Sequence, residues 1–125
     1  MKKIVMIASL LSVGFFLSGC YYDEVLEGDG IFPQNVSFSS DVMPIFDLNC
    51  NTNGCHDAGP THAPSLTREN AFNALIQGNF ISTTIPTQSI LYQEVAEGNM
   101  PPSGSLVSKD INIILAWINE GAKNN

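Results

Sequence analysis

A chain of 125 residues with 14% charged and 44% hydrophobic residues, seven Pro and ten Gly has the composition of a globular protein, not a disordered or fibrous one. Five basic residues stand against twelve acidic, a net charge of −7; Lys2 and Lys3 belong to the N-terminal leader, so the remainder carries three against twelve, or −9, which argues against a nucleic-acid partner. Setting aside the first nineteen residues leaves 106, one small domain whose limited core would profit from a covalent staple or a buried cofactor.

The leader opens with the charged Met1-Lys2-Lys3, and residues 4–17 form an apolar run that is short for a membrane span and of signal-peptide length. The run closes on Leu17-Ser18-Gly19-Cys20, which resembles a bacterial lipobox. That resemblance implies that residues 1–19 are a lipoprotein signal peptide and that Cys20 is lipidated and becomes the new N-terminus. An ordinary secretory leader or a short membrane anchor is the alternative, and in each case the domain is expected to fold outside the cytoplasm, facing the periplasm or on the cell surface. Residues 20–36, with Gly28, Gly30 and Pro33 and no sustained periodicity, read as a tether. Asp23, Glu24, Glu27 and Asp29 resemble the acidic stretches that route some bacterial lipoproteins to the surface, or form a solvated linker without an address.

Residues 37–125 form the domain, and short helices separated by loops are expected there. Ser39 or Ser40 can cap a helix over 41–48, with Asp41 and Pro44 in its first turn and Val42, Ile45, Phe46 and Phe38 on its buried face. Thr67 can cap a second helix over 68–77 that ends at Gly78 and carries Ala71, Phe72 and Leu75. A third is expected over 88–96, with Ile90, Leu91 and Val95 inward and Gly98 as its stop. The fourth is the clearest: Ser108 as cap, Ile111, Ile114, Leu115 and Ile118 at helical spacing, and Gly121 at the C-terminal glycine position. No segment alternates with period two and no repeat is visible, so the class is all-α.

The chemistry concentrates in Cys50-Asn51-Thr52-Asn53-Gly54-Cys55-His56. Two thiols followed at once by a histidine are what covalent haem attachment needs, each sulfur adding to one vinyl group while the adjacent imidazole reaches the iron. The usual spacing is C-x-x-C-H. Four intervening residues require a bulge, and Asn51, Asn53 and Gly54 are residue types that accept the positive φ of one. On these residues alone a Cys50–Cys55 disulfide in an oxidising compartment explains the motif equally well. A zinc site lacks a second paired motif.

Downstream come Pro64-Ser65-Leu66 and Gly98-Asn99-Met100-Pro101-Pro102, the latter ahead of the terminal amphipathic helix. In order, an N-terminal helix, a C…CH element, P-x-L, M-P-P and a C-terminal helix with an aromatic resemble the monohaem class I cytochromes c, and especially small bacterial cytochrome lipoproteins. The resemblance spans residues 37–122. It implies a class I cytochrome c-like fold of about four short helices packed around one covalently attached haem c. It further implies His56 as proximal iron ligand, the Pro64 carbonyl accepting the His56 Nδ1 proton, Leu66 packing on the haem face and Met100 as distal ligand. The departure from the family pattern is the four-residue gap between the thiols, which bears on maturation more than on iron binding.

Physical chemistry supports these roles separately. A ligating imidazole needs its other nitrogen held by an acceptor, and a thioether is a soft neutral ligand that favours ferrous iron. Pro101 and Pro102 stiffen the loop that carries Met100. Met43 reads as core, and His62, a rival distal ligand, as a surface histidine. Arg68 either pairs with a haem propionate or interacts with Glu69 and solvent. Trp117 and Tyr92 either hydrogen-bond a propionate or join the core. Phe46, Leu66, Phe72, Leu91 and Ile114 are candidates for the apolar haem wall.

The function expected from this reading is single-electron transfer without bond-making chemistry: no catalytic residue, no small-molecule substrate, a membrane contact through the lipid, and a redox partner with a basic docking face. Two alternatives remain open. One is a haem-free surface lipoprotein that binds a ligand or protein, with Cys50 and Cys55 bridged; the other is a five-coordinate haem sensor in which Met100 is displaceable.

Overall fold

The computed structural model describes residues 32–59 and 62–125; the expected signal peptide, Cys20 and most of the tether lie outside the described residues. Among those described, all regular structure is helical, as expected for an all-α chain. A π-helical turn, Phe38–Val42, runs directly into α1, Met43–Asn49. Then come α2, Ala71–Gln77, a 3-10 turn, Pro86–Gln88, α3, Ile90–Ala96, and α4, Ser108–Asn119.

Helix starts differ from the sequence expectation, each for a local reason. Ser37, not Ser39 or Ser40, caps the first helix: its side chain accepts the Ser40 N–H, while its own N–H donates to Asp41 Oδ2 at 2.8 Å. That reciprocal arrangement starts the helix three residues early, and Pro44 falls where the π-helical turn gives way to α1. Thr67 serves the second helix with its backbone carbonyl, which accepts from the Asn70 and Ala71 N–H groups, so a turn precedes α2 and delays it to Ala71. Pro86 opens a separate 3-10 turn before α3. Ser108 is the first residue of α4 instead of its cap; Val107 occupies that position with no side-chain bond.

The helix ends follow the glycines more closely. Gly78 follows α2 directly, Gly98 has φ +75° after α3 and Gly121 has φ +96° after α4. Gly78 has a second duty, because the Phe80 ring lies where a Cβ would stand.

The core is aromatic at its centre. Phe38 packs against Trp117 at 4.9 Å between ring centroids, and meets Phe46 and Phe72 edge-on at 6.3 and 5.6 Å. Trp117 is fully buried, and its Nε1 donates to the Lys123 carbonyl at 2.8 Å, which satisfies its one polar atom inside the fold. Ile114 and Ile118 extend this core along α4, and Val42, Ile45 and Met43 complete it from the first helix.

Glu120, just past α4, ties in the incoming chain. Its two carboxylate oxygens accept the N–H groups of Asn35 and Val36 at 2.6 and 2.9 Å. Asn125 adds bonds to the N–H groups of Phe38 and Ser39. The start of the first helix and the end of the last are thereby held together. Glu120→Ala removes both acceptors and should lower stability by about 1–3 kcal/mol, with Glu120→Gln falling between it and the wild type. Thermal melts followed through the single tryptophan check this.

Candidate functional site

α1 ends at Cys50, whose N–H bonds back to the Phe46 carbonyl at 2.8 Å, and the thiol loop begins there. The gap between the thiols is taken up by a β-turn over residues 52–55, closed by the Cys55 N–H donating to the Thr52 carbonyl at 2.9 Å. Gly54 is its third residue with φ +82°, the conformation such a position requires, whereas Asn51 and Asn53 do not adopt positive φ. The His56 N–H then reaches back to the Cys50 carbonyl at 3.2 Å. The extra residues are thus looped out, and Cys50 and His56 are joined directly by backbone.

The segment after His56 doubles back on it. The His56 carbonyl accepts the Leu66 N–H at 2.7 Å, and His56 Nδ1 lies 2.7 Å from the Pro64 carbonyl oxygen. A carbonyl can only accept, so the neutral ring carries its proton on Nδ1 and leaves the Nε2 lone pair uncommitted. The Ser65 hydroxyl donates to the Asp57 carbonyl at 3.0 Å, and the Asn51 side chain bridges Asp47 and the Leu66 carbonyl.

These elements surround a cavity of about 380 Å³. Cys50, Cys55, His56, Pro64, Leu66 and Met100 all line it. Leu75 of α2, Leu91 and Val95 of α3 and Phe80 add apolar wall, and Pro101 and Pro102 follow Met100 along it. Met100 is fixed through its backbone, its N–H donating to the Glu94 carbonyl at 3.0 Å. A concave, mostly apolar space with a few convergent polar atoms is the usual form of a cofactor site.

Other expected residues lie elsewhere. Phe46, expected in the wall, has no exposed surface and packs in the aromatic core with Phe38. Phe72 and Ile114 also belong to that core, because Phe38 and Trp117 form an apolar centre of their own. Trp117 cannot serve a propionate at the cavity, since Lys123 already takes its N–H. Tyr92 packs against the core. Arg68 is paired with Asp47, not Glu69, and does not line the cavity. Met43 is core, as expected. His62 is exposed and also lines the cavity. Ile90, expected to face inward, is 45% exposed at the cavity's edge.

Leu75 and Val95, read from sequence only as inward helix residues, belong to the cavity wall, and three further residues of the site were missed altogether. Phe80 follows α2 by three residues, and a Gly-x-Phe after a helix end is its only signal. Glu94 is the one carboxylate of the lining and carries no motif. Asp57 follows His56 directly; its Oδ2 accepts the N–H of Gly54, three residues earlier in the chain, at 3.0 Å.

The thiols are unpaired and unequal: Cys50 is buried and Cys55 exposed. Burial, reinforced by the neighbouring Cys55, pushes the Cys50 thiol up from 9.0 to about 11. Between those values the folded chain holds a proton that the unfolded chain releases, so this thiol favours the fold below pH 9 and loses that contribution as pH rises toward 11. In haem-free protein, iodoacetamide should modify Cys55 first. Cys50 should react about tenfold faster for each pH unit up to about 11, which peptide mass mapping of a timed reaction resolves.

Among the described residues no three His, Cys, Asp or Glu side chains gather as a metal shell, and no helix is long and apolar enough to cross a membrane. Compared with protein-family models, curated proteins and solved structures, the chain has no match.

Proposed function

We propose that the domain is a monohaem electron carrier of the cytochrome c type, held outside the cytoplasm by a lipid on Cys20. The observation that carries this reading is the bond between His56 Nδ1 and the Pro64 carbonyl, because it leaves Nε2 free in a cavity that two thiols and a thioether also line. A histidine whose outer nitrogen is held by a backbone carbonyl is the arrangement that metal ligation requires. An iron bound here would be held by His56 and Met100 and would take its remaining donors from a macrocycle, which agrees with the apolar lining of the cavity.

In this reading Cys50 and Cys55 hold the group through thioethers, each thiol adding its S–H across one vinyl carbon–carbon double bond with no net oxidation. Leu66, Leu75, Leu91 and Val95 exclude water from its faces. The bound group supplies reversible one-electron storage. Met100, neutral and soft, favours the ferrous state, and the backbone bond to Glu94 with the two prolines that follow keeps the sulfur in place. With His56 and Met100 both holding the iron, no position on it would be left for a substrate. The −9 charge of the chain after the leader favours a basic partner and weak, salt-sensitive association.

Visible spectra before and after dithionite, with the intact mass, test this directly. The expected mass is the polypeptide plus one haem, retained after acidified acetone. A mass lower by two hydrogens would replace the reading with the bridged, haem-free lipoprotein. Met100→Ala should abolish the sulfur-to-iron charge-transfer band, admit carbon monoxide and lower the potential, and Met100→His should restore six-coordination while keeping the potential low. A wild-type protein that already binds carbon monoxide would favour the five-coordinate sensor. Cys20→Ser should move the domain to the soluble fraction with its visible spectrum unchanged.

A further inference from the structure

The four-residue gap puts Cys55 on a β-turn, and a turn of that kind at the surface has little of its own to hold it. Gly54 shows the difficulty: nothing stands within 4 Å of where its Cβ would be, so no packing supports the turn there. What reaches it is Asp57. Its Oδ2 accepts the Gly54 N–H at 3.0 Å. Asp57 itself is held at the other side, since its backbone carbonyl accepts the Ser65 hydroxyl at 3.0 Å in the segment that also supplies the Pro64 acceptor of His56. The carboxylate is therefore the link between the looped-out turn and the part of the chain that orients the imidazole. Oδ1 is buried and has no hydrogen-bond partner among the described residues, so the side chain sits inward over the loop and is not spread into solvent.

We propose that Asp57 is the positioning residue of this enlarged thiol loop: by accepting the Gly54 N–H it holds the turn that carries Cys55, so that Cys55 is presented to the cavity together with Cys50. The inference rests on the electron-carrier reading only in naming what the two thiols are presented to. Without the carboxylate the turn over residues 52–55 keeps its own backbone bond and the fold keeps its core, but Cys55 samples more directions. A loop with the usual two-residue gap has no such freedom to suppress. The role is one of acceptor position, not of charge, which makes Asp57→Asn the conservative variant and Asp57→Ala the disruptive one.

The test has two arms. In the first, haem-free protein is equilibrated with reduced and oxidised glutathione. Forming the Cys50–Cys55 bridge removes two protons and two electrons, which convert one glutathione disulfide into two glutathione molecules, so the equilibrium constant is the effective concentration of one thiol at the other. Asp57→Ala should lower it about five- to tenfold, the loss expected for one hydrogen bond, and Asp57→Asn, which keeps an acceptor in place, should stay within about twofold of wild type. Trp117 fluorescence verifies that each variant is folded. Should Asp57→Ala fail to fold, Asp57→Glu displaces the acceptor by one methylene and should show the same loss. In the second arm the proteins are matured with haem, and the pyridine haemochrome band, which shifts with the number of thioethers, is read. Asp57→Ala should accumulate protein attached through Cys50 alone, identified by alkylation of a free Cys55, whereas Asp57→Asn should be doubly attached. Unchanged effective concentration in both Asp57→Ala and Asp57→Glu, or an Asp57→Asn value as low as that of Asp57→Ala, would overturn the proposal. A wild-type chain that takes up no haem would remove the electron-carrier reading and leave the glutathione arm to judge Asp57 by itself.

Discussion

The contact between the His56 imidazole and the Pro64 carbonyl, at 2.7 Å, decides what the rest of the cavity can be used for. It closes an eight-residue excursion on a side chain, and the adjoining Leu66-to-His56 backbone bond closes it again on the main chain. Each hydrogen bond alone contributes on the order of 1 kcal/mol, but together they fix the ring plane and the tautomer, which a single contact does not. Every other feature at the site is arranged around a nitrogen whose lone pair has been kept available. Cys50 is tied to His56 by backbone, Leu66 is carried into the wall by the same bond, and Met100 is set from a separate loop.

So small a domain divides its apolar residues between two tasks. Trp117, Phe38, Phe46 and Phe72 form a centre that is complete without any cofactor, with the indole nitrogen satisfied internally. Leu66, Leu75, Leu91 and Val95 are buried as well, but they border the open volume of about 380 Å³. An apolar group filling that volume would give those four side chains atoms to pack against and would cover Ile90, which is 45% exposed at the edge, at about 25 cal/mol per Å². The aromatic centre therefore lets the chain fold far enough to form a receptive cavity, and the cavity wall is where occupancy adds stability.

The helical class and the residues gathered at the cavity were legible in the sequence for different physical reasons. Helical spacing of Ile114 and Ile118 along twelve residues of α4 is a long, redundant signal, and the cysteines, His56, Pro64 and Met100 stand out because the proposed chemistry calls for those atoms. Caps are less readable: Ser37, Ser39 and Ser40 are chemically equivalent, and only the reciprocal bond with Asp41 selects the first of them. Arg68 reads from sequence as a partner either of a propionate or of Glu69 and solvent, and the partner it takes is Asp47, distant in sequence. Phe46 reads as cavity wall and Trp117 as either propionate donor or core, because aromatic side chains suit either place. Which they join depends on long-range packing of the first helix on α4, and no short pattern records it. Asp57 was overlooked because a side chain that braces a turn leaves no spacing rule behind.

The knot of bonds made by Glu120 and Asn125 fixes the point at which the chain enters the domain, at the start of the first helix, while the thiol loop leaves from that helix's far end. Twelve residues of helical rise separate the two, roughly 18 Å. If Cys20 carries the proposed lipid, the seventeen residues from Cys20 to Val36 set an upper limit of ~60 Å on the distance from membrane to domain, and the cavity loop lies at the far end of the first helix from that attachment. A partner resident in the same membrane would then be met within a search volume that the length of this segment bounds.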